Sequence, residues 1–212
     1  EAATRAVSGG VTLFFGAERG ELSPRYYLQA NHLTHLPILV REIAGIHCAI
    51  DALPADRETL FSLAAQHNAL LALHRPQDAP ADPATLERLI ALAKTYETTL
   101  YFFPIKSLEE LTLIQQAREE HHLIYAELNP LSLGEEWWDL LHAGAIDSVG
   151  DHEAPESTLP HLLKSPLPLE KIVELTSLNV QRIFNIEAPQ DVVLIDDKGP
   201  VHTICRGTIY TS

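Results

Sequence analysis

The sequence predicts an α/β fold in which strands alternate with helices. Short apolar runs of strand length recur along the chain, and amphipathic stretches of helical length lie between them. Polar residues follow several of these runs directly, notably Asp51, His74 and Asp151. Because α/β barrels carry their chemistry at the C-terminal ends of the strands, these positions are candidate functional residues.

Composition and charge narrow the classes of function. The 212 residues are 46% hydrophobic, which is enough for a buried core in one large domain or two small ones. With 15 Lys and Arg against 29 Asp and Glu, the net charge of −14 argues against nucleic acid and anionic membranes as partners. We find no run of membrane-spanning length and no signal-peptide pattern, and Cys48 and Cys205 are too few for a disulfide framework. We therefore expect a cytoplasmic protein.

Hydrophobic periodicity and helix-capping residues define the elements of the first half of the chain. Gly9-Gly10 ends a first helix, and Asp82 stands at a helix N-cap with Pro83 at the first helical position. The predicted order is a helix over 1–8, a strand over 11–15, apolar runs over 36–40 and 46–50, a helix over 56–67, a strand over 69–74 and a helix from 82. Asp51 and His74 therefore lie at the ends of strands.

The second half continues the alternation. The predicted order is a strand over 99–103, a helix over 108–120, a strand over 123–127, a helix over 135–142, a strand over 146–150, a helix from 169, a turn over 179–184 and strands over 191–196 and 201–210. Asp151 and His152 stand just past the strand over 146–150, whereas His121-His122 precedes a strand and is predicted to be a solvated turn.

Several segments resemble motifs of dihydroorotase and the related cyclic amidohydrolases. The stretch Asp151-His152-Glu153-Ala154-Pro155 is similar to their Asp-His-Ala-Pro signature, with Glu153 inserted. Residues 104–111 resemble the family's His-Leu-Ser-Thr-Ala-Glu-Ala-Leu, and residues 179–184 resemble its Asn-Pro-Ala-Arg-Ile-Phe. The resemblance implies a TIM-type (β/α)8 barrel of the amidohydrolase type over 1–186, lacking its first strand. It assigns residues 187–212 to the strands of a small β-sandwich.

The resemblance also implies roles for individual residues. Asp151 corresponds to the family's metal ligand and proton shuttle, and His74 corresponds to a metal ligand, with Asp51 as a weaker third. His152 and Arg75 correspond to substrate-binding residues, and zinc is the implied cofactor. The residues alone leave a second interpretation open, in which Asp151 caps the following helix and His74 is an ordinary surface histidine.

Other positions depart from the family's pattern. Pro104 stands where the family has a metal-binding His, and proline has no side-chain donor or acceptor. No Lys precedes Lys94, so a bridging carbamate in the early strands is excluded, and the loop after His74 is short. In the family, the first barrel strand carries a His-x-His pair of metal ligands, and this sequence begins after the expected position of that strand. The sequence also has no Met, so we expect a processed or truncated chain.

Two hypotheses about function follow. The first is a dihydroorotase-like cyclic amidohydrolase of the pyrimidine-biosynthesis type with impaired catalysis, in which a metal-bound hydroxide attacks a ring amide and Asp151 shuttles the proton. The second is a non-catalytic dihydroorotase-like subunit that associates with an aspartate transcarbamoylase-like partner or with copies of itself. In the first, the partner is a small cyclic amide and the cofactor is zinc; in the second, no metal is bound. Pro104 and the missing Lys favour the second.

Overall fold

The computed structural model describes residues 26–29, 43–76, 78–132, 134–151, 154–185, 192–196, 199–205 and 208–211. The predicted elements over 1–8, 11–15 and 36–40 lie outside these residues, as does His152. The described residues belong to two compact units, a first unit over 26–128 and a second unit over 129–211.

A parallel sheet forms the centre of the first unit. Its strands are β1 (Tyr26–Gln29), β2 (Ile43–Ala49), β3 (Leu70–His74), β4 (Leu100–Phe103) and β5 (Ile124–Leu128). They lie side by side in sequence order, and each neighbouring pair is parallel. Parallel strands in sequence order, joined by helices, are the arrangement expected of an arc of an α/β barrel.

Three helices connect the strands, and local capping explains where each begins. They are α1 (Arg57–Gln66), α2 (Pro83–Tyr96) and α3 (Leu108–Glu119). The side chains of Asp56, Asp82 and Ser107 accept hydrogen bonds from backbone N–H groups three residues later, at 3.1, 3.0 and 3.2 Å. These bonds satisfy N–H groups that have no partner within the helix. The helices predicted over 56–67, from 82 and over 108–120 are confirmed.

The core of the first unit lies between the helices and one face of the sheet. Because side chains alternate along a strand, every second residue of β3 and β4 points to this face. Fully buried side chains meet here from both layers: Leu60, Phe61, Leu71, Leu73, Leu86, Leu89, Leu100 and Ile114. Burying one such side chain stabilises the fold by about 1.5–3 kcal/mol.

The second unit contains short helices and a small sheet. Its elements are α4 (Glu136–His142), the short strand β6 (Ser148–Val149), α5 (Pro155–Leu162), α6 (Leu169–Val173), a π-helical turn (Glu174–Leu178), α7 (Asn179–Ile183) and the strands β7 (Val192–Asp196), β8 (Gly199–Cys205) and β9 (Thr208–Thr211). Rings of Trp138 on α4 and His161 on α5 stack at a centroid distance of 6.1 Å. The strand predicted over 146–150 is reduced to two residues.

The prediction of a turn over 179–184 is wrong. The helix that begins at Leu169 continues through the π-helical turn to Ile183, and Phe184 is buried at its end. The Asn179 side chain donates to the backbone carbonyl of Asp147 at 2.8 Å, which attaches the helix to the segment before β6. Asn179 therefore lies within a helix and binds the helix to a neighbouring segment, whereas the sequence pattern indicated a turn here.

The tail forms the predicted strands. β7, β8 and β9 pair in order as an antiparallel sheet, with the second predicted strand divided into β8 and β9. Thr203 is fully buried, whereas the apolar side chains of Val192, Leu194 and Ile209 are exposed, so these apolar positions do not form the buried face that their alternation with polar residues predicts. Within the described residues, no helix has both the length and the apolar composition needed to cross a membrane.

Candidate functional site

The second face of the parallel sheet carries polar and aromatic side chains in adjacent strands. In the register of the sheet, Ala49 lies beside His74 and His74 lies beside Phe103. Two residues earlier in the strands, His47 lies beside Ala72 and Ala72 beside Tyr101. Residues beside each other in neighbouring strands point to the same face. We call the side chains of His47, His74, Tyr101, Phe103 and Glu127 the polar-face cluster.

Ring contacts hold the polar-face cluster together. The Phe103 ring lies 5.1 Å from the His74 ring and 5.7 Å from the His47 ring, centroid to centroid, and the two imidazoles are 5.8 Å apart. Tyr101 packs on Phe103 at 5.6 Å, and its hydroxyl donates a hydrogen bond to the carboxylate of Glu127, which is buried. Imidazole, phenol and carboxylate groups are the side chains used most in general acid–base chemistry.

Sequence reasoning placed His74 at the end of a strand, as the structure has it, and missed the other members of this cluster. It considered only residues at the ends of strands, and His47 and Tyr101 lie inside β2 and β4. Side chains two residues apart in a strand point to the same face. His47 and Tyr101 each lie two residues before the end of their strand, so this alternation could have identified them.

The predicted ligands at the strand ends of the first unit occupy different environments. Asp51 follows β2 in a short 3-10 helix (Ile50–Ala52) and its side chain is exposed, whereas His74 is packed into the polar-face cluster. Pro104 follows β4 through a cis peptide bond. Asp51, His74 and Pro104 follow adjacent parallel strands and therefore lie at the same edge of the sheet, as predicted.

Arg75 is engaged in a buried ion pair. Its guanidinium lies 2.6 Å from Glu110 on α3, and both side chains are almost completely shielded from solvent. Glu110 also accepts from the backbone N–H groups of Asp82 and Lys106, each at 2.9 Å. Because this carboxylate is shared by one guanidinium ion pair and two backbone N–H donors, we call this group the Arg75–Glu110 network. A substrate-binding role for Arg75 stays a prediction.

Lys106 joins the same network from the loop after β4. Its ammonium donates to the carbonyls of Pro76 and Ala79, at 2.9 and 2.5 Å. Burial lowers the pKa of Lys106, and the nearby positive charge of Arg75 lowers it further. The short loop after β3 is thus attached to the loop after β4 by a half-buried lysine.

Asp151 lies in the second unit directly after β6 and is buried. One carboxylate oxygen accepts from the side-chain amide of Asn129 at 3.2 Å, and the other accepts from the backbone N–H of Ala154 at 2.9 Å. These bonds fix the turn that leads into α5. The N-cap residue of this helix is Ala154, so Asp151 holds the turn before the helix and the interpretation of Asp151 as the helix cap is wrong. The meeting of Asp151 with His74 stays a prediction, since the two residues belong to different units.

A zinc site requires three or more ligands at one point. Among the residues that the structure describes, no three His, Cys, Asp or Glu side chains are grouped so that they could hold a metal ion. The described residues therefore do not by themselves fit the implied zinc. The ligand roles of His74, Asp151 and Asp51 stay predictions.

Comparison with known proteins gives a match in structure only. No protein-family model matches the sequence, and no curated protein does. The fold is similar to that of dihydropyrimidinase from Brevibacillus agri, with a TM-score of 0.76 and 17% identity over 97% of this chain and 78% of that one. It is also similar to L-hydantoinase from Arthrobacter aurescens, with a TM-score of 0.71 and 15% identity over 98% and 79%.

A third similar structure is the inactive dihydroorotase-like domain of a CAD-like multifunctional protein from Chaetomium thermophilum. Its TM-score is 0.62, with 10% identity over 87% of this chain and 72% of that one. At such identities the comparison concerns the fold. The chain therefore has an α/β, TIM-barrel-like fold similar to that of dihydropyrimidinase and L-hydantoinase.

Proposed function

We propose that this chain is a dihydroorotase-like subunit that no longer hydrolyses cyclic amides and is kept as a structural partner. The observation that carries the proposal is the packing of the Phe103 ring against both His47 and His74 at the end of β4. A metal-binding imidazole must direct a ring nitrogen to an ion about 2.0–2.1 Å away. An apolar ring beside both imidazoles supplies no ligand and occupies the space next to them.

The residue that follows strengthens this argument. Pro104 takes the position at which the family's motif has a His, and no rotamer of proline can offer a lone pair to a metal. Within the described part of the first unit, the strand ends at Asp51, His74 and Pro104 offer two groups of ligand type. A hydrolytic zinc usually needs three protein ligands and an open position for water.

Zinc, when bound in an intact site of this type, activates a water molecule and polarises the amide carbonyl. In this chain the polar-face cluster and the Asp151 turn are held by contacts within the protein. They support the packing of strand ends and the start of α5. We derive no hydrolytic step from them.

We propose an aspartate transcarbamoylase-like enzyme as the partner. The motif resemblance to dihydroorotase supports this, since that family often associates with aspartate transcarbamoylase. The similarity in fold to a domain described as inactive and dihydroorotase-like, within a CAD-like multifunctional protein, is consistent with a non-catalytic member of this kind. The acidic charge of −14 favours a partner surface rich in Lys and Arg.

A working hydrolase is the second candidate, and the polar-face cluster is the observation that favours it. Two imidazoles 5.8 Å apart, beside a buried carboxylate and a tyrosine, are groups that could take part in acid–base chemistry. In this alternative the substrate is a small cyclic amide, and residues outside the described part of the chain complete a zinc site. Asp151 then acts as the proton shuttle.

Metal analysis and a hydrolysis assay separate the two candidates. After dialysis the full-length protein should hold well under one equivalent of zinc, and it should not hydrolyse dihydroorotate or hydantoin with or without added zinc. The control is Asp147→Ala, a half-buried neighbour that precedes β6. Two tightly held metal ions with turnover that Asp151→Ala abolishes and Asp147→Ala preserves would establish the hydrolase instead.

A further inference from the structure

The C-terminal helix of the second unit, made of α6, the π-helical turn and α7, exposes a row of large apolar side chains. Leu169, Val173 and Leu178 are 49%, 42% and 43% exposed. Ile172 and Leu175 of the same helix are buried, and at about 100° per residue Ile172 is rotated by about 100° from Val173. Exposed Leu and Val side chains that form a continuous row are a frequent feature of protein interaction surfaces.

The π-helical turn is what aligns this row. In an α-helix a residue lies close to the one four positions earlier, as Val173 does to Leu169. Across a π-helical turn the hydrogen bond reaches back five positions, and the N–H of Asn179 donates to the carbonyl of Glu174 in this way. Leu178, five residues after Val173, is thereby brought to the same side. We call Leu169, Val173 and Leu178 the apolar stripe.

Charges of opposite sign lie along one edge of the apolar stripe. Glu170 is exposed near its N-terminal end and Arg182 is exposed near its C-terminal end. At about 100° per α-helical residue, Glu170 lies about 60° from Val173 and Arg182 about 40° from Leu178, on the same side. A surface with the negative charge at one end and the positive charge at the other is complementary to itself when one copy is reversed.

We propose that the apolar stripe binds the apolar stripe of a second copy of this chain, with the two helices antiparallel about a two-fold axis. The midpoint of positions 173 and 178 falls between residues 175 and 176, and the midpoint of positions 170 and 182 falls at residue 176. One axis at this level therefore places Val173 against Leu178 of the second copy and Glu170 beside Arg182 of the second copy. A two-fold interface requires this reciprocity.

The arrangement also accounts for Leu169. Leu169, at the end of the stripe, lies opposite Arg182 of the second copy. The aliphatic part of this arginine can cover Leu169 while its guanidinium binds the carboxylate of Glu170. The patch is small compared with the interfaces of permanent dimers, so the association is weak and reversible. This self-association is independent of whether the chain hydrolyses cyclic amides, because it is measured without substrate.

The first test is sedimentation of the full-length protein over a range of concentrations. The protein should pass reversibly from monomer to dimer, and Val173→Glu should weaken the dimer by about tenfold or more, because it buries a carboxylate among apolar groups. The matched control is Leu194→Glu on the small sheet, which places the same charge on another exposed apolar position of the second unit. A protein that stays monomeric, or a dimer weakened by Leu194→Glu and not by Val173→Glu, would overturn the proposal.

A charge-swap experiment tests the antiparallel geometry. Glu170→Arg and Arg182→Glu each bring like charges together and should each lose most self-association, while circular dichroism shows the fold unchanged. An equimolar mixture of the two variants should associate again, because Arg at 170 then faces Glu at 182 across both halves of the interface. A mixture that associates no better than either variant alone would refute the antiparallel pairing.

Discussion

The parallel sheet of the first unit has two faces formed by the same strands, and their side chains differ in kind. The face under the helices carries the apolar side chains of Leu71, Leu73 and Leu100, which are fully buried. The other face carries imidazole, phenol and carboxylate groups in contact with one another. One face supplies stability through apolar burial, whereas the other concentrates groups that cost free energy to bury and therefore require partners.

This difference indicates which side chains of the sheet can be replaced without loss of the fold. Substitutions on the polar face change imidazole, phenol and carboxylate groups and leave the helix-covered core intact, so this face can change while the fold is kept. The strand ends between the two faces are secured separately by the Arg75–Glu110 network.

The largest effect is expected at the strand ends. Glu110→Ala leaves the buried guanidinium of Arg75 without its partner and two backbone N–H groups without an acceptor, so unfolding free energy should fall by about 3–5 kcal/mol. Glu109→Ala, on the exposed side of the same helix, is the matched control and should change it by less than about 0.5 kcal/mol. Chemical denaturation measures both. Equal effects of the two variants would show that the network does not support the loops.

The next effect distinguishes the two faces directly. Leu73→Ala opens a cavity on the apolar face and should cost about 3 kcal/mol in unfolding free energy, whereas His74→Ala should cost about 1 kcal/mol or less. The two residues are neighbours in β3 and differ in the face to which they point. A His74→Ala variant as destabilised as Leu73→Ala would contradict the assignment of stability to the helix-covered face.

A smaller effect is expected within the polar-face cluster. Tyr101→Phe removes the hydroxyl that donates to the buried Glu127 and should lower unfolding free energy by about 1–2 kcal/mol. Tyr96→Phe, whose hydroxyl donates to Glu58 at the surface at 3.1 Å, is the control and should change it by less than about 0.5 kcal/mol. Identical denaturation curves for the wild type and Tyr101→Phe would mean that this hydrogen bond has no net stabilising effect.

The smallest effect concerns a helix cap and pH. Hydrogen bonds from Thr85, first from its hydroxyl and then from its backbone N–H, hold the pKa of Asp82 below its ordinary value of 3.8. The unfolded state therefore takes up this proton at a higher pH than the folded state, so the stabilisation is present above about pH 4 and is lost as the pH falls through the folded pKa. Thermal melts between about pH 2.5 and 6 should show a shallower loss of Tm for Asp82→Asn than for the wild type. If Tm falls with pH equally steeply in Asp82→Asn and in the wild type, the Asp82 carboxylate does not contribute to the pH dependence of stability.

Features determined by neighbouring residues could be predicted from the sequence, and those determined by strand register could not. Asp56, Asp82 and Ser107 act on N–H groups three residues away, so the starts of their helices are visible as local patterns. The meeting of His47 with His74 depends on how β2 and β3 align, and the sequence does not state that register.

Longer-range contacts explain the remaining differences. The Glu110 carboxylate reaches Asp82, 28 positions away, and nothing in its local pattern distinguishes it from the exposed Glu109. The π-helical turn at Glu174–Leu178 keeps residues 179–183 helical where the motif indicated a turn. The π-helical turn contains an additional residue, so the apolar positions after it no longer follow a period of 3.6. This made the continuation of the helix difficult to recognise from the sequence.

We propose that the polar-face cluster does not perform hydrolysis. The most direct test is the rate of cyclic-amide hydrolysis by the full-length protein in the presence of zinc, compared with the double variant His47→Ala/His74→Ala. Dihydroorotate and hydantoin serve as substrates, and circular dichroism verifies that the variant is folded. We predict that both proteins give the rate of the buffer alone; turnover by the wild type that the double variant loses would contradict the claim.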